Sequence, residues 1–502
     1  MHQSARARAL VTHSVIAALA LASPVIALGQ TAAPQTPAEV PPVQAVPGVG
    51  GGAGAALPGA MMPPGGASSE LGPEPAEFTR YGFAAGLGET DNVNLATTNP
   101  RSQTIAAANV DFGVKRSGSR IDATAFGNFT DLYYLEGAYS NQVLGRFDGL
   151  ALAKLWPEHL NWMIGDSYGE EQTDPFSAIT PLSLQRVNVF QTGPQLKLHP
   201  GDATFVNFDA GYSRITYQRS PFDGHDFLGS FEVGRELSPL SKISLVAEAE
   251  SLRFDNTTLN TNYDRRQAYA HYLIDGARTS IDAQLGATQA NDTGAWKTSP
   301  LARLMLTRKL SPFSVVTLSG GREYTDSGGS FSNLTAGAAG GILVAPSTQT
   351  TANYRRDYGA AGWRFVRLRS TIGVSADWER DTHDLQSIYD ARREDLAVDL
   401  GRSLTPQLFA NITGSVNRYE YVNQGFTDKF GIIGAGVSYQ AGRWIVIYGR
   451  YDHAFRRSSG VANPLFGGTQ YDENRVFIMI GYRPHTAIQA GGEPSFGGSP
   501  TP

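Results

Sequence analysis

One spacing constrains this chain more than any other feature. Short breaker clusters recur at Ser117-Gly118-Ser119, Trp156-Pro157-Glu158, Pro200-Gly201-Asp202, Ser238-Pro239-Leu240, Asp275-Gly276 and Ser311-Pro312. They continue at Arg367-Leu368, Thr405-Pro406 and Ala441-Gly442. Successive centres lie 35 to 43 residues apart, with a single interval of 57 that contains the Gly/Ser/Thr-rich stretch Asp326–Thr350. Gly, Pro, Asn and Asp at such points mark tight turns. Between turns lie two strand-like runs and one longer polar loop, as at Glu89–Ser102, Gly169–Leu184, Asn256–Arg266, Asp381–Glu394 and Arg456–Asn474. Tight turns alternating with long polar loops are the layout of a membrane barrel. A period near 40 residues also occurs in β-propellers, but a propeller blade packs four strands into that span and only two fit here.

The runs alternate as strands do. Over 371–379, Ile372, Val374, Ala376 and Trp378 share one face, and Thr371, Gly373, Ser375, Asp377 and Glu379 share the other. The runs 205–213 and 407–417 repeat the pattern. A soluble sandwich would alternate in the same way. The extent of the series, with no helical period to cover a face, favours a closed antiparallel transmembrane β-barrel over residues 78–484. Nine tight turns give eighteen strands, and one more at each end makes twenty, within a range of 18–22. Each run suits the roughly 9–11 residues that a tilted spanning strand needs. Closure also removes the exposed edges of so long a sheet. Pro194 falls inside a run and predicts a bulge or a missing ladder bond.

The flanks and the composition agree with export. Residues 1–29 read as a signal peptide, with Arg6 and Arg8 ahead of an apolar stretch and small residues after it. An inner-membrane anchor helix is the alternative; Pro24 interrupts it and no stop-transfer charges follow. Residues 30–77 are rich in Pro, Gly and Ala and read as a disordered linker; 485–502 read as a second such tail. The chain has no Cys, which excludes disulfides and Cys-ligated metal centres. Its net charge of −5 argues against nucleic acid as a partner.

Chemistry is sparse. Gly165-Asp166-Ser167-Tyr168-Gly169 matches a hydrolase nucleophile pattern, but no helix follows to expose the hydroxyl. The nine His do not cluster at ligand spacing, and His383 with Asp381 and Asp384 reads as a solvated loop trio. Glu89, Asp91 and Asn92 carry hard oxygens that suit Ca²⁺, but a solvated loop is the better reading of them. The expectation is therefore no catalytic residue, no metal and no cofactor. Alternation instead predicts a polar lumen lined by Asn109, Asp111, Asp122, Asn207, Asp209, Glu248, Glu250, Asp282, Asp377 and Asn411. Such groups suit sugar hydroxyls or cations, and any barrel interior must also be polar. Interface girdles are expected from Trp156, Trp162 and Trp444 near the tight turns, and from Tyr133, Tyr134, Tyr217, Tyr419 and Tyr421 near the loops.

The segment Tyr81–Leu95, YGFAAGLGETDNVNL, carries a T-D-N-V element directly after the opening strand. With the closing run Asp472-Glu473-Asn474-Arg475-Val476, it resembles a family of outer-membrane β-barrel porins often encoded with exopolysaccharide gene clusters. The resemblance covers about 78–484 and rests on short motifs. One departure is that the chain runs past Tyr482 into a tail instead of ending on an aromatic residue. The resemblance implies localisation in the cell outer membrane, in contact with its lipids, and a channel connected with exopolysaccharide export. Polysaccharide and periplasmic export machinery would then be partners. A general diffusion porin and a non-conducting structural or adhesion barrel are the alternatives.

Overall fold

A computed structural model describes residues 77–173, 180–258, 260–292, 294–325, 353–385, 387–460 and 470–482. The expected signal peptide (1–29), almost all of the expected linker, the expected C-terminal tail and the Asp326–Thr350 stretch lie outside the described residues.

Strong alternation produces twenty strands. The first ten are β1 (Phe78–Thr90), β2 (Gln103–Ser117), β3 (Ile121–Tyr134), β4 (Gln142–Trp156), β5 (Leu160–Gln172), β6 (Leu184–Gly201), β7 (Thr204–Tyr217), β8 (Gly224–Ser238), β9 (Ser241–Phe254) and β10 (Tyr263–Asp275). The rest are β11 (Thr279–Asn291), β12 (Lys297–Ser311), β13 (Ser314–Thr325), β14 (Tyr354–Arg367), β15 (Ser370–His383), β16 (Ala391–Ser403), β17 (Leu408–Tyr421), β18 (Phe426–Gln440), β19 (Ile445–Gly460) and β20 (Tyr471–Tyr482). Two single 3₁₀ turns, Pro181–Ser183 and Ser387–Tyr389, sit in loops. Each strand pairs antiparallel with the next in sequence, and β1 pairs with β20, so the sheet is a closed barrel.

All nine expected tight turns are hairpin turns of two to four residues. The turn with neither Gly nor Pro forms because Leu368 adopts φ +50°, a left-handed conformation that costs a non-glycine residue about 1–2 kcal/mol. Pro194 faces Trp162 of β5, but the β6–β7 ladder loses its pairs at Gly193 and Pro194 and resumes in the same register. The consequence is a missing ladder bond without a bulge. At the loop side several strands outrun their polar boundaries: β5 reaches Gln172, β19 reaches Gly460, and β20 starts at Tyr471.

Parity sorts the side chains. On β18, Ile433 and Val437 point outward and are about half exposed, while Asp428, Phe430 and Ile432 are buried inside. The same division puts Phe83, Val110, Phe231, Leu245, Leu285, Leu304, Leu396, Ile412 and Ile478 on the outer surface. An exposed apolar surface this continuous around a closed sheet is what a hydrocarbon environment stabilises.

Parity also corrects the expected outer girdle. Tyr133 points outward, 43% exposed, whereas its neighbour Tyr134 points inward and is 4% exposed in an apolar cluster with Ile105, Leu132 and Phe477. Adjacent strand residues cannot share a face. Tyr217 lies on the inner side against Val187 and Tyr263, and Tyr419 and Tyr421 also lie on the inner side, near Phe426. Near the tight turns, Trp162 is exposed on the outer face and donates to Thr192 Oγ1 at 2.9 Å. A register shift between Lys154 and Trp156 carries Trp156 outward, stacked on His159. Trp444 is exposed in its turn, with its ring against Tyr482.

Candidate functional site

The candidate site is the inner wall, which divides into three regions. The first is a network of guanidinium and carboxylate groups on β12–β20, from mid-barrel to the loop side. Arg303 Nε lies 2.5 Å from Glu323 Oε2, and Arg303 Nη1 donates to Gln284 Oε1 at 3.0 Å. Arg356 Nη2 donates to Glu379 Oε2 at 2.7 Å. Arg393 sits among three acids, 3.1 Å from Asp377, 3.7 Å from Glu379 and 2.6 Å from Asp395. Arg456 lies 2.5 Å from Asp428, and Arg450 Nε donates to Asp452 Oδ1 at 2.8 Å. These ions are held because strand neighbours at i and i+2 share a face, and the antiparallel register sets opposite charges side by side, as with Glu379 and Arg393.

The second region is an acidic arc on β7–β11. His271 lies at its centre, with Nε2 3.1 Å from Asp282 and Nδ1 3.8 Å from Glu232. Glu232 accepts from Asn207 Nδ2 at 2.8 Å and from Ser244 Oγ at 2.6 Å. Glu248 accepts from Gln267 and, at 2.6 Å, from Tyr269 OH. Asp209 accepts from Ser230 at 3.2 Å, and Glu250 pairs with Arg265. Five of the ten residues expected in the lumen therefore converge here: Asn207, Asp209, Glu248, Glu250 and Asp282. Carboxylates outnumber cations across the arc, so its field favours positive or hydroxyl-rich solutes.

The third region is apolar. Ile105, Ala107, Leu132, Leu144, Val446, Tyr448, Phe477 and Met479 form one inner cluster on β19, β20 and β1–β4. Gly86 and Gly88 of β1 make it possible, because Met479 and the Phe477 ring occupy the space a Cβ would need.

The other expected lumen residues are dispersed. Asn109 donates to Asn128 Oδ1 at 3.0 Å and Thr130 Oγ1 at 2.8 Å, with Asp111 two residues along the same face. Asp122 lies by a tight turn and holds Lys154 Nζ at 2.8 Å. Asp377 belongs to the Arg393 network. Asn411 is buried on β17, close to Gly436. Sequence reasoning missed the Arg partners and most of the acids of the first region. The available signal is the i, i+2 charge pattern of Arg393-x-Asp395, Arg450-x-Asp452 and Glu473-x-Arg475 within strand-like runs.

Ser167 sits mid-strand in β5, facing Asp148, with no helix after it. No cluster with metal-ligand geometry occurs among the described residues. Asp91 and Asn92 instead brace the seam of the barrel. Asp91 accepts from Asn474 N at 2.8 Å and Asn474 Nδ2 at 2.7 Å. Asn92 Nδ2 donates to Asp472 O at 2.8 Å, and Thr90 Oγ1 donates to Glu473 Oε1 at 2.6 Å. The T-D-N-V element and the closing D-E-N-R run are thus two halves of one clasp.

No family model matches the chain, and no curated protein matches it in sequence. Among solved structures it is similar to the siderophore receptor PirA from Pseudomonas aeruginosa, with TM-score 0.42, 11% identity, and 82% and 81% of the two chains covered. It is also similar to the outer membrane protein opdK from Pseudomonas aeruginosa, with TM-score 0.38, 9% identity, and 81% and 99% covered. A third is the FrpB iron transporter from Neisseria meningitidis, with TM-score 0.38, 8% identity, and 81% and 82% covered. Likenesses at this level do not carry what those proteins transport over to this chain.

Proposed function

We propose that the protein is an outer-membrane channel for hydrophilic solutes. The observation that carries this is the division by parity: a predominantly apolar outer face with its ion pairs mostly at the loop-side rim, and networks of ion pairs, amides and carboxylates inward. An apolar exterior matches lipid, and a polar interior matches water and its solutes. Of the ten inward polar residues named from the sequence, those of the β7–β11 arc are then wall contacts for the solute and form the wall's most acidic stretch. Asn109, Asp111 and Asn411 are instead packed among neighbouring side chains.

Within that reading, we infer that the solute is a saccharide and that the channel serves exopolysaccharide export. Two things support the inference. One is the resemblance carried by Thr90–Val93 and Asp472–Val476. The other is the pairing of carboxylates with inward tyrosines such as Tyr269, which matches the hydroxyl edges and apolar faces of sugar rings.

Planar-bilayer recording tests both levels. The expected result is conductance that favours cations and is reduced by added oligosaccharide. Glu232→Gln/Glu248→Gln is expected to weaken both effects. Conductance indifferent to sugar would leave a general diffusion porin. A folded, gel-shifted barrel with zero conductance would overturn the channel.

A further inference from the structure

We propose that the outer face of β15–β18, at the loop-side rim, binds the phosphate of an anionic lipid headgroup. This rests on the membrane reading above. The register sets cations against cations on that face. Arg380 of β15 is directly opposite Arg392 of β16. Lys429 of β18 lies between Arg418 of β17 and Arg457 of β19. Like charges directly opposite destabilise a sheet unless something neutralises them.

The acids nearby are already engaged. Arg418 holds Glu394 at 3.3 Å and Glu420 at 3.4 Å, and Arg457 holds Asp472 at 2.7 Å. The register also sets Asp357 of β14 opposite Arg380 and Glu420 opposite Arg392. Asp357, however, pairs with Arg322 and Arg355, and Glu420 with Arg418. Arg392 Nε is shielded from solvent with no hydrogen-bond acceptor. Cations therefore outnumber acids on two adjacent rungs of this rim, Arg380 and Arg392 on one and Lys429 on the next, in a chain whose net charge is negative.

Their position selects the occupant. One step below on the same outer face lie Trp378 and Val416, with Glu394 already held by Arg418. Two steps below lie Leu396 and Ile433, and the four apolar residues are 38–55% exposed. An anion bound at Arg380 and Arg392 would have its acyl chains continue down this surface, and Trp378 marks the boundary between the two. The guanidinium forks suit phosphate oxygens bidentately. A soluble protein partner would have to cover the apolar strip as well, whereas lipid already does.

The test uses the full chain in nanodiscs of phosphatidylcholine with and without phosphatidylglycerol, read by native mass spectrometry of the lipids it retains. Wild type is expected to retain phosphatidylglycerol preferentially. Arg380→Gln/Arg392→Gln/Lys429→Gln is expected to lose about tenfold or more of that preference. An inward triple, Lys115→Gln/Lys197→Gln/Lys242→Gln, removes the same charge and is expected to keep the preference. Equal retention by wild type and the outer triple, or an equal loss in the inward triple, would overturn the site. Inorganic phosphate displacing the lipid at matched concentration would overturn lipid as the occupant. Failure to enter discs of either composition would remove the membrane reading itself.

Discussion

Replacing Asn92 with Ala tests how the barrel is closed. The Asn92 side chain is 3% exposed and makes three hydrogen bonds. Its Oδ1 accepts from Ala96 N at 3.0 Å, and its Nδ2 donates to Ala96 O at 2.9 Å and Asp472 O at 2.8 Å. Each such bond contributes about 1 kcal/mol net, so losing all three costs roughly 3 kcal/mol, or about 2 if water reaches the freed groups. That free energy falls on a short ladder: β1 and β20 share eight residue pairs, against thirteen between β1 and β2. The expected effect is local opening, with amide exchange about 30- to 150-fold faster across 88–97 and 470–476. Hydrogen-exchange mass spectrometry in detergent measures it, with the β10–β11 hairpin as internal reference. Acceleration below about threefold at the seam would refute the clasp, because even one lost bond should exceed it. Uniform acceleration around the ring would refute its local character.

Two further predictions follow from the turns and loops. Leu368→Gly should raise the urea midpoint of the gel-shifted form, because relieving φ +50° outweighs glycine's added chain entropy by about 0.5–1 kcal/mol; a lower midpoint would refute the strain. At the β9–β10 loop, Asp255 holds Arg214 at 2.6 Å, and the guanidinium lowers its carboxyl below the usual value. Its stabilisation is therefore present above that usual value and is lost as pH falls through the lowered one. Neighbouring Asp223 runs the other way, since burial raises its carboxyl and protonation relieves it. Protection at 255–258, corrected for the intrinsic pH dependence of amide exchange, should thus fall on acidification in wild type and hold or rise in Asp255→Asn, and equal pH profiles would dispose of the ion pair's contribution.

The sequence made some of these features legible and hid others for physical reasons. Breakers and alternation located every hairpin turn, because turn chemistry and strand parity are local. Leu368 was found only by its place in the series, since nothing in its side chain announces a left-handed turn. Nearness to loops suggests a girdle role for Tyr134, Tyr217, Tyr419 and Tyr421, but parity points them inward. The Arg356, Arg393 and Arg456 network joins residues 16 to 28 positions apart across hairpins. Its pairs depend on register, which fixed spacing alone does not supply. Asp91 and Asn92 stood out as a motif, but their partners lie some 380 residues away.

That distance has a consequence in time. A ring whose first strand is joined to its last has no partially closed form. Until Tyr471–Tyr482 is in place, nineteen strands present two open edges, and β1 waits for nearly the whole chain before its second neighbour exists. Open edges recruit other chains, and closing so long a loop is entropically slow to reward. The protein's vulnerable period is therefore its assembly, and a truncation before residue 471 yields a sheet seeking partners, not a weaker barrel.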